Sequence, residues 1–236
     1  MRKTLSALAM IFSATLFLTS PVIAQDSHSG HDHAGHDHNA DDGHSHAPAM
    51  SEEELSKIDF VYTQSPDDHV IGKADAPNTM IVYASVTCPH CSDWFIHQYP
   101  TLKKDLIDKG KLKMIFREFV TAPQEVAVAG FQLALCGESE DYFDILTYQM
   151  EGQEETFTAL QEGRAIERFL EIAKLAGIEN QEDMFSCFDK KEGFERLERQ
   201  IDRARAGNIK GVPGVIINGK LVDGDVDALN IKALLP

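Results

Sequence analysis

Two cysteines spaced for local disulfide chemistry, Cys88-Pro89-His90-Cys91, stand between two contrasting patterns. Before them, residues 79–86 (TMIVYASV) are apolar and β-rich and read as a buried strand. After them, Trp94, Phe95, Tyr99, Leu102 and Leu106 recur at helical spacing, with a kink expected at Pro100. A sulfur at such a strand-to-helix junction lies near free helix N–H groups, which favour an anion. The thiolate of Cys88 is therefore stabilised over its thiol, and its pKa should fall. Cys91, one turn further in, should be less accessible. This makes Cys88 the sulfur that partners attack and Cys91 the resolving thiol. Pro89 and His90 tune the pair. A charge or hydrogen bond from His90 to Cys88 would stabilise the reduced form, and a stabilised reduced form is an oxidising couple. Two other uses of these cysteines are a plain structural disulfide and a zinc site shared with Cys136 and Cys187. The strand-to-helix placement argues against the first. The lack of a second Cys-x-x-Cys argues against the second.

The elements around the motif form an α/β order. Residues 69–71 are a short strand candidate, and residues 112–120 (LKMIFREFV) are the strand after the first helix, which ends near Gly110. Strand, helix and strand in this order predict a right-handed parallel unit. From 121 to 207 the spacing is helical. Thr121-Ala-Pro-Gln124 reads as a capping box. Further helices are expected over 141–150, around Ile166 to Ala173, from an Asn180 cap through Phe188, and from Phe194 to Ala204. Gly211-Val212-Pro213-Gly214 then leads into Val215-Ile216-Ile217, an Asn218-Gly219 hairpin turn and a partner strand. A closing helix is expected over 225–235.

The first 59 residues have a different character. Arg2 and Lys3, an apolar stretch from Leu5 to Leu18, and Val22-Ile23-Ala24 read as a secretory signal over residues 1–24. The apolar run is too short to span a bilayer, and no other stretch is a candidate span. Export places all four cysteines in an oxidising compartment. Residues 25–59 read as a disordered, His/Asp-rich tail, because almost nothing in its first half is apolar. Seven of the ten histidines lie there. His31 and His33, His36 and His38, and His44 and His46 form three His-x-His pairs, and their ligand chemistry suits Zn, Cu or Ni. The tail reads equally as a plain solvated segment. A formal charge of −16 excludes nucleic acid as a partner.

Cys-Pro-His-Cys after a strand, Gly211-Val-Pro213 before a strand and an Asn-Gly turn, and a helical block between strands together resemble the DsbA family. The resemblance covers about residues 60–236. It implies a thioredoxin fold with an inserted helical domain at about 121–207. It also implies a cis Val212–Pro213 bond in a loop beside the cysteines that pairs with substrate backbone. The activity it implies is that of a periplasmic thiol:disulfide oxidoreductase acting on reduced exported proteins. Reoxidation would come from a DsbB-like membrane protein coupled to quinone, with no dissociable cofactor. An isomerase or reductase of the same fold, or a metal-tolerance protein using the tail, are the rival readings. With 88–91 as the reactive pair, Cys136 and Cys187 remain as a structural staple, a modulating redox pair or free buried thiols.

Overall fold

The computed structural model describes residues 51–236. The signal expected at 1–24 lies outside the described residues, and so do the paired histidines His31, His33, His36, His38, His44 and His46 of the expected tail. Regular structure begins earlier than the expected boundary at residue 60. A single turn, α1 (Glu52–Leu55), is held by a capping box in which the Ser51 side chain accepts from the Glu54 amide and the Glu54 carboxylate accepts from the Ser51 amide. The reciprocal cap satisfies two otherwise open donors, which gives a charged stretch local order without any buried side chain.

Five strands form one sheet: β1 (His69–Ile71), β2 (Asn78–Ala84), β3 (Leu112–Glu118), β4 (Gly214–Ile217) and β5 (Lys220–Leu221), in the order β1-β3-β2-β4-β5. β2 and β3 are parallel, as the strand–helix–strand order predicts, and the other pairs are antiparallel. β2 is central and covered on both faces, which explains its continuous apolar sequence. Met80, Val82 and Ala84 face a large core with Trp94, Phe95 and Phe131. Ile81 and Tyr83 face a smaller one with Ala204, Ile209 and Ile216. The hairpin turn has Asn218 and Gly219 both at positive φ, 49° and 81°, the geometry an Asn-Gly turn favours. Asn218 also accepts from the Thr79 amide at 2.9 Å, pinning the turn to β2.

The connection from β2 to β3 is α2 (Pro89–His97), α3 (Tyr99–Leu102) and a π-helical turn (Lys103–Ile107). The break falls at Gln98, so Pro100 sits in the first turn of α3, where its missing N–H costs nothing. Between β3 and β4 lie α4 (Gln124–Cys136), α5 (Tyr142–Glu151), α6 (Gln153–Gln161), α7 (Ala165–Leu175), α8 (Gln181–Phe188) and α9 (Lys191–Ala206). α10 (Ala228–Ala233) closes the chain and is shorter than the expected 225–235, starting only after its Asp227 cap. α6 has no counterpart in the sequence reading, because QEETFTALQ is mostly polar and carries no apolar stripe. The capping box expected at Thr121-Gln124 does not form. Pro123 is the N-cap of α4 without a side-chain hydrogen bond, and the Thr121 hydroxyl is used elsewhere. Among the described residues no helix is long and apolar enough to cross a membrane.

Arg117 of β3 is fully buried and spends all five of its donors. Nε and Nη2 donate to Asp68, Nη1 to the Tyr83 hydroxyl and the Val61 carbonyl, and Nη2 also to the Thr63 carbonyl. A buried guanidinium is tolerated because it is paired and fully hydrogen-bonded. The result ties residues 61–68 across one face of the sheet.

Candidate active site

The C-terminal end of β2 delivers the two cysteines. The strand stops at Ala84 rather than at 86, because Ser85 to Thr87 turn out of the ladder and the Cys88 amide bonds back to the Ser85 carbonyl at 3.2 Å. Cys88 then caps α2 in an extended conformation, and Pro89 takes the first helical position. Both cysteines are free thiols, Cys88 8 % exposed and Cys91 fully buried. Pro89 and His90 are exposed beside them.

The environment separates the two sulfurs chemically. The Cys91 thiol, as a donor, is the largest influence on Cys88. Burial opposes it, and the amides of Cys91 and His90 and then the His90 charge add to it. Together they bring the Cys88 thiol down to about 5. The same contact with Cys88, reinforced by burial, pushes the Cys91 thiol well above its ordinary range. The Cys88 sulfur lies 3.7 Å from the Val212 carbonyl oxygen. Only the protonated thiol can donate there, so this contact, like burial, favours the thiol. The Cys91 sulfur accepts from the Ser85 amide at 3.5 Å.

The loop that brings Val212 to Cys88 contains a cis Val212–Pro213 bond. A second cis bond, Ala122–Pro123, lies in the loop after β3. Beside Pro213 opens a cavity of about 480 Å³, bordered also by Lys210, Gly211, Leu221 and Asp223. Two contacts tie the α2 region to the start of α10: Trp94 donates to the Val226 carbonyl at 2.7 Å, and Gln98, just after α2, accepts from the Ala228 amide at 3.0 Å.

Several residues that the sequence does not assign to this site touch it. Gln153, at the start of α6, donates to the carbonyls of Val86 at 2.8 Å and Cys88 at 3.2 Å. The Ser92 hydroxyl donates to the Met150 carbonyl at 2.6 Å. The helical block is thus bonded directly to the cysteine turn. The hydroxyls of Ser85, Thr87 and Thr121 meet at separations of 2.7 to 3.1 Å. Nothing in the polar sequence of α6 marks Gln153, and Thr121 could be found only by knowing that β3 ends beside β2.

Cys136 and Cys187 are joined in a disulfide, at the last turn of α4 and the last turn of α8, with Cα atoms 6.1 Å apart. It shares no residue with the Cys88–Cys91 turn. Among the described residues no group of three or more His, Cys, Asp or Glu is arranged to hold a metal. The ligands expected for Zn, Cu or Ni do not belong to that set, since His31, His33, His36, His38, His44 and His46 all precede residue 51.

A family model described as Thioredoxin matches residues 64–236. The probable disulfide bond formation protein D of Bacillus anthracis is 30% identical over 168 residues, covering 67% of this chain and 73% of that protein. The disulfide bond formation protein D of Bacillus subtilis is 26% identical over 165 residues, covering 69% of this chain and 73% of its own. Among solved structures, Wolbachia pipientis alpha-DsbA1 superposes with a TM-score of 0.63 at 23% identity, over 73% of this chain and 90% of that one.

Proposed function

Because the chain belongs to the DsbA family of thiol:disulfide oxidoreductases with a thioredoxin fold, we propose that it oxidises exported proteins through Cys88 and Cys91. The single observation that carries this reading is the opposite treatment of the two thiols. Cys88 is brought down to about 5 at a helix end, while Cys91 is buried and pushed up. A thiol that ionises so readily is a good leaving group, and a stabilised reduced form makes the disulfide a strong oxidant.

The exchange runs in two steps. A substrate thiolate attacks Cys88 of the 88–91 disulfide, and Cys91 leaves. The substrate's second thiol then attacks its own sulfur in the mixed disulfide, and Cys88 leaves as a thiolate. Pro89 and His90 border the attacked sulfur at the surface. The Val212–Pro213 loop, with its carbonyl against Cys88, is the backbone along which an extended substrate would lie. Residues 60–236 form the working domain in this reading, 25–59 its tail and 1–24 the signal that sends it to the periplasm. A DsbB-like membrane protein coupled to quinone would restore the disulfide.

Equilibration with glutathione tests the direction of the reaction. A reduction potential of about −120 mV is expected of an oxidase of this type. A value of about −270 mV would assign the protein a reducing role instead.

A further inference from the structure

The hydroxyls of Ser85, Thr87 and Thr121 form a closed ring. Thr121 Oγ1 donates to Ser85 Oγ at 2.8 Å, Ser85 Oγ and Thr87 Oγ1 are 3.1 Å apart, and Thr87 Oγ1 and Thr121 Oγ1 are 2.7 Å apart. Each hydroxyl donates once and accepts once around the ring when Thr87 Oγ1 turns its one proton to Thr121 Oγ1, and every bond then polarises the next. Turned instead to the Thr121 carbonyl at 3.1 Å, the same proton still ties Thr87 to the loop after β3. The Thr87 amide adds a longer contact to Ser85 Oγ at 3.4 Å. Ser85 is fully buried and Thr87 nearly so, whereas Thr121 is half-buried on the neighbouring loop. The ring therefore clamps the turn between β2 and Cys88 to the loop after β3.

The clamped residue also carries the donor that meets Cys91. Ser85 N–H reaches the Cys91 sulfur at 3.5 Å, in a region without solvent exposure. When a substrate thiolate attacks Cys88, its electron pair forms the new sulfur–sulfur bond. The Cys88–Cys91 bond breaks with its pair on the Cys91 sulfur, and no proton moves in that step. Cys91 takes up a proton afterwards, from the substrate's second thiol or from water. For a moment a buried anion exists, and a buried anion without a donor is costly. A donor fixed beforehand stabilises charge as it develops without rearranging.

We propose that the Ser85–Thr87–Thr121 ring is a positioning device for Cys91, holding the Ser85 N–H on the sulfur that must leave as a thiolate. The inference rests on the thiol-exchange reading above and adds three residues to it, which act through Cys91.

The test uses the full chain, oxidised, mixed with excess glutathione. Attack on Cys88 is followed by stopped-flow through Trp94, the sole tryptophan, and the mixed disulfide is identified by mass. Thr87→Val and Thr121→Val each keep the side-chain shape and open the ring. Both should slow formation of the mixed disulfide about tenfold. Thr87→Ser and Thr121→Ser restore the hydroxyl and should stay within about twofold of wild type. The thiolate absorbance of Cys88 should keep its wild-type midpoint in all four. Valine variants that react at the wild-type rate would overturn the proposal. So would serine variants as slow as the valine ones, or a shifted Cys88 midpoint that accounts for the slowing. If Thr121→Val does not fold, Thr87→Val decides alone, since it leaves the Thr121–Ser85 bond in place. A wild-type protein that forms no mixed disulfide at all would instead remove the exchange reading itself, and the inference with it.

Discussion

Gln153 on α6 donates to the carbonyl oxygen of Cys88 at 3.2 Å, although 65 residues separate them. The same nitrogen donates to the Val86 carbonyl at 2.8 Å. One amide group from the helical block thus holds both ends of the turn that carries Cys88. Gln153→Ala leaves these buried acceptors without their side-chain donor and should destabilise the fold by about 1–3 kcal/mol, measured by denaturant unfolding. Gln153→Glu goes further. It places a carboxylate against two carbonyls, close to Cys88. It should raise the Cys88 pKa, read as thiolate absorbance, whereas Gln153→Ala should leave the pKa close to wild type.

Thiolate absorbance of the reduced protein should show a single transition with a midpoint of about 5, assigned to Cys88. Because the Cys91 thiol is the largest contributor, Cys91→Ala should move that midpoint upward, more than any change at His90. The His90 charge stands last among the influences on Cys88, so His90→Ala should raise the midpoint less. A larger effect from His90 would mean that charge, rather than hydrogen bonding from Cys91, controls the Cys88 thiolate.

The depressed pKa also sets how the reduced fold responds to pH. An unfolded cysteine titrates at about 8.5, and folded Cys88 at about 5. Between those values the folded state is ionised and the unfolded state is not. This contribution is therefore fully present above the unfolded pKa and is lost as pH falls through 5. The oxidised protein lacks the titrating thiol. Its unfolding free energy subtracted from that of the reduced protein, read from denaturant melts, should rise from pH 5 to about pH 8.5, and the slope cannot exceed about 1.4 kcal/mol per pH unit for one proton. A difference independent of pH would contradict the depressed thiol.

Much of this arrangement was legible because it depends on local chemistry. A cysteine at a strand end, a proline in the next position and an Asn-Gly turn each impose a backbone geometry from their own side chains. Cys88, Pro89 and Asn218 accordingly stand in the local settings that their neighbours in sequence suggest. Contacts between distant segments were not legible. Thr121 looks like a helix cap from its neighbours alone, yet its hydroxyl is taken by Ser85 on the adjoining strand end. Arg117 stands inside a strand-like run whose sequence does not show where its charge goes. It is buried because Asp68 and two carbonyls from residues 61 and 63 reach it across the sheet. The polar sequence of α6 hides Gln153 for the same reason, since only tertiary packing tells a buried glutamine from a solvated one.

The Cys136–Cys187 bridge allows a clean separation of stability from chemistry. It links the ends of α4 and α8 across a sequence separation of 51 residues, a closure that stabilises by about 4 kcal/mol in the chain-entropy model. The Cys187 side is buried against the same core that holds α4, while Cys136 is only half-buried. Neither residue contacts Cys88, Cys91 or the Val212 loop through any hydrogen bond described above. The double variant carrying Cys136→Ala and Cys187→Ala should therefore lose about 2–4 kcal/mol of unfolding free energy. Below its own melting temperature it should still oxidise a dithiol peptide at close to the wild-type rate, with the Cys88 midpoint unchanged. Unfolding in denaturant and peptide oxidation, measured on the same samples, separate the two effects. An equal stability loss accompanied by a shifted potential would show that the bridge reaches the reactive pair through the packing of α4. That outcome would make it a modulating element rather than a staple.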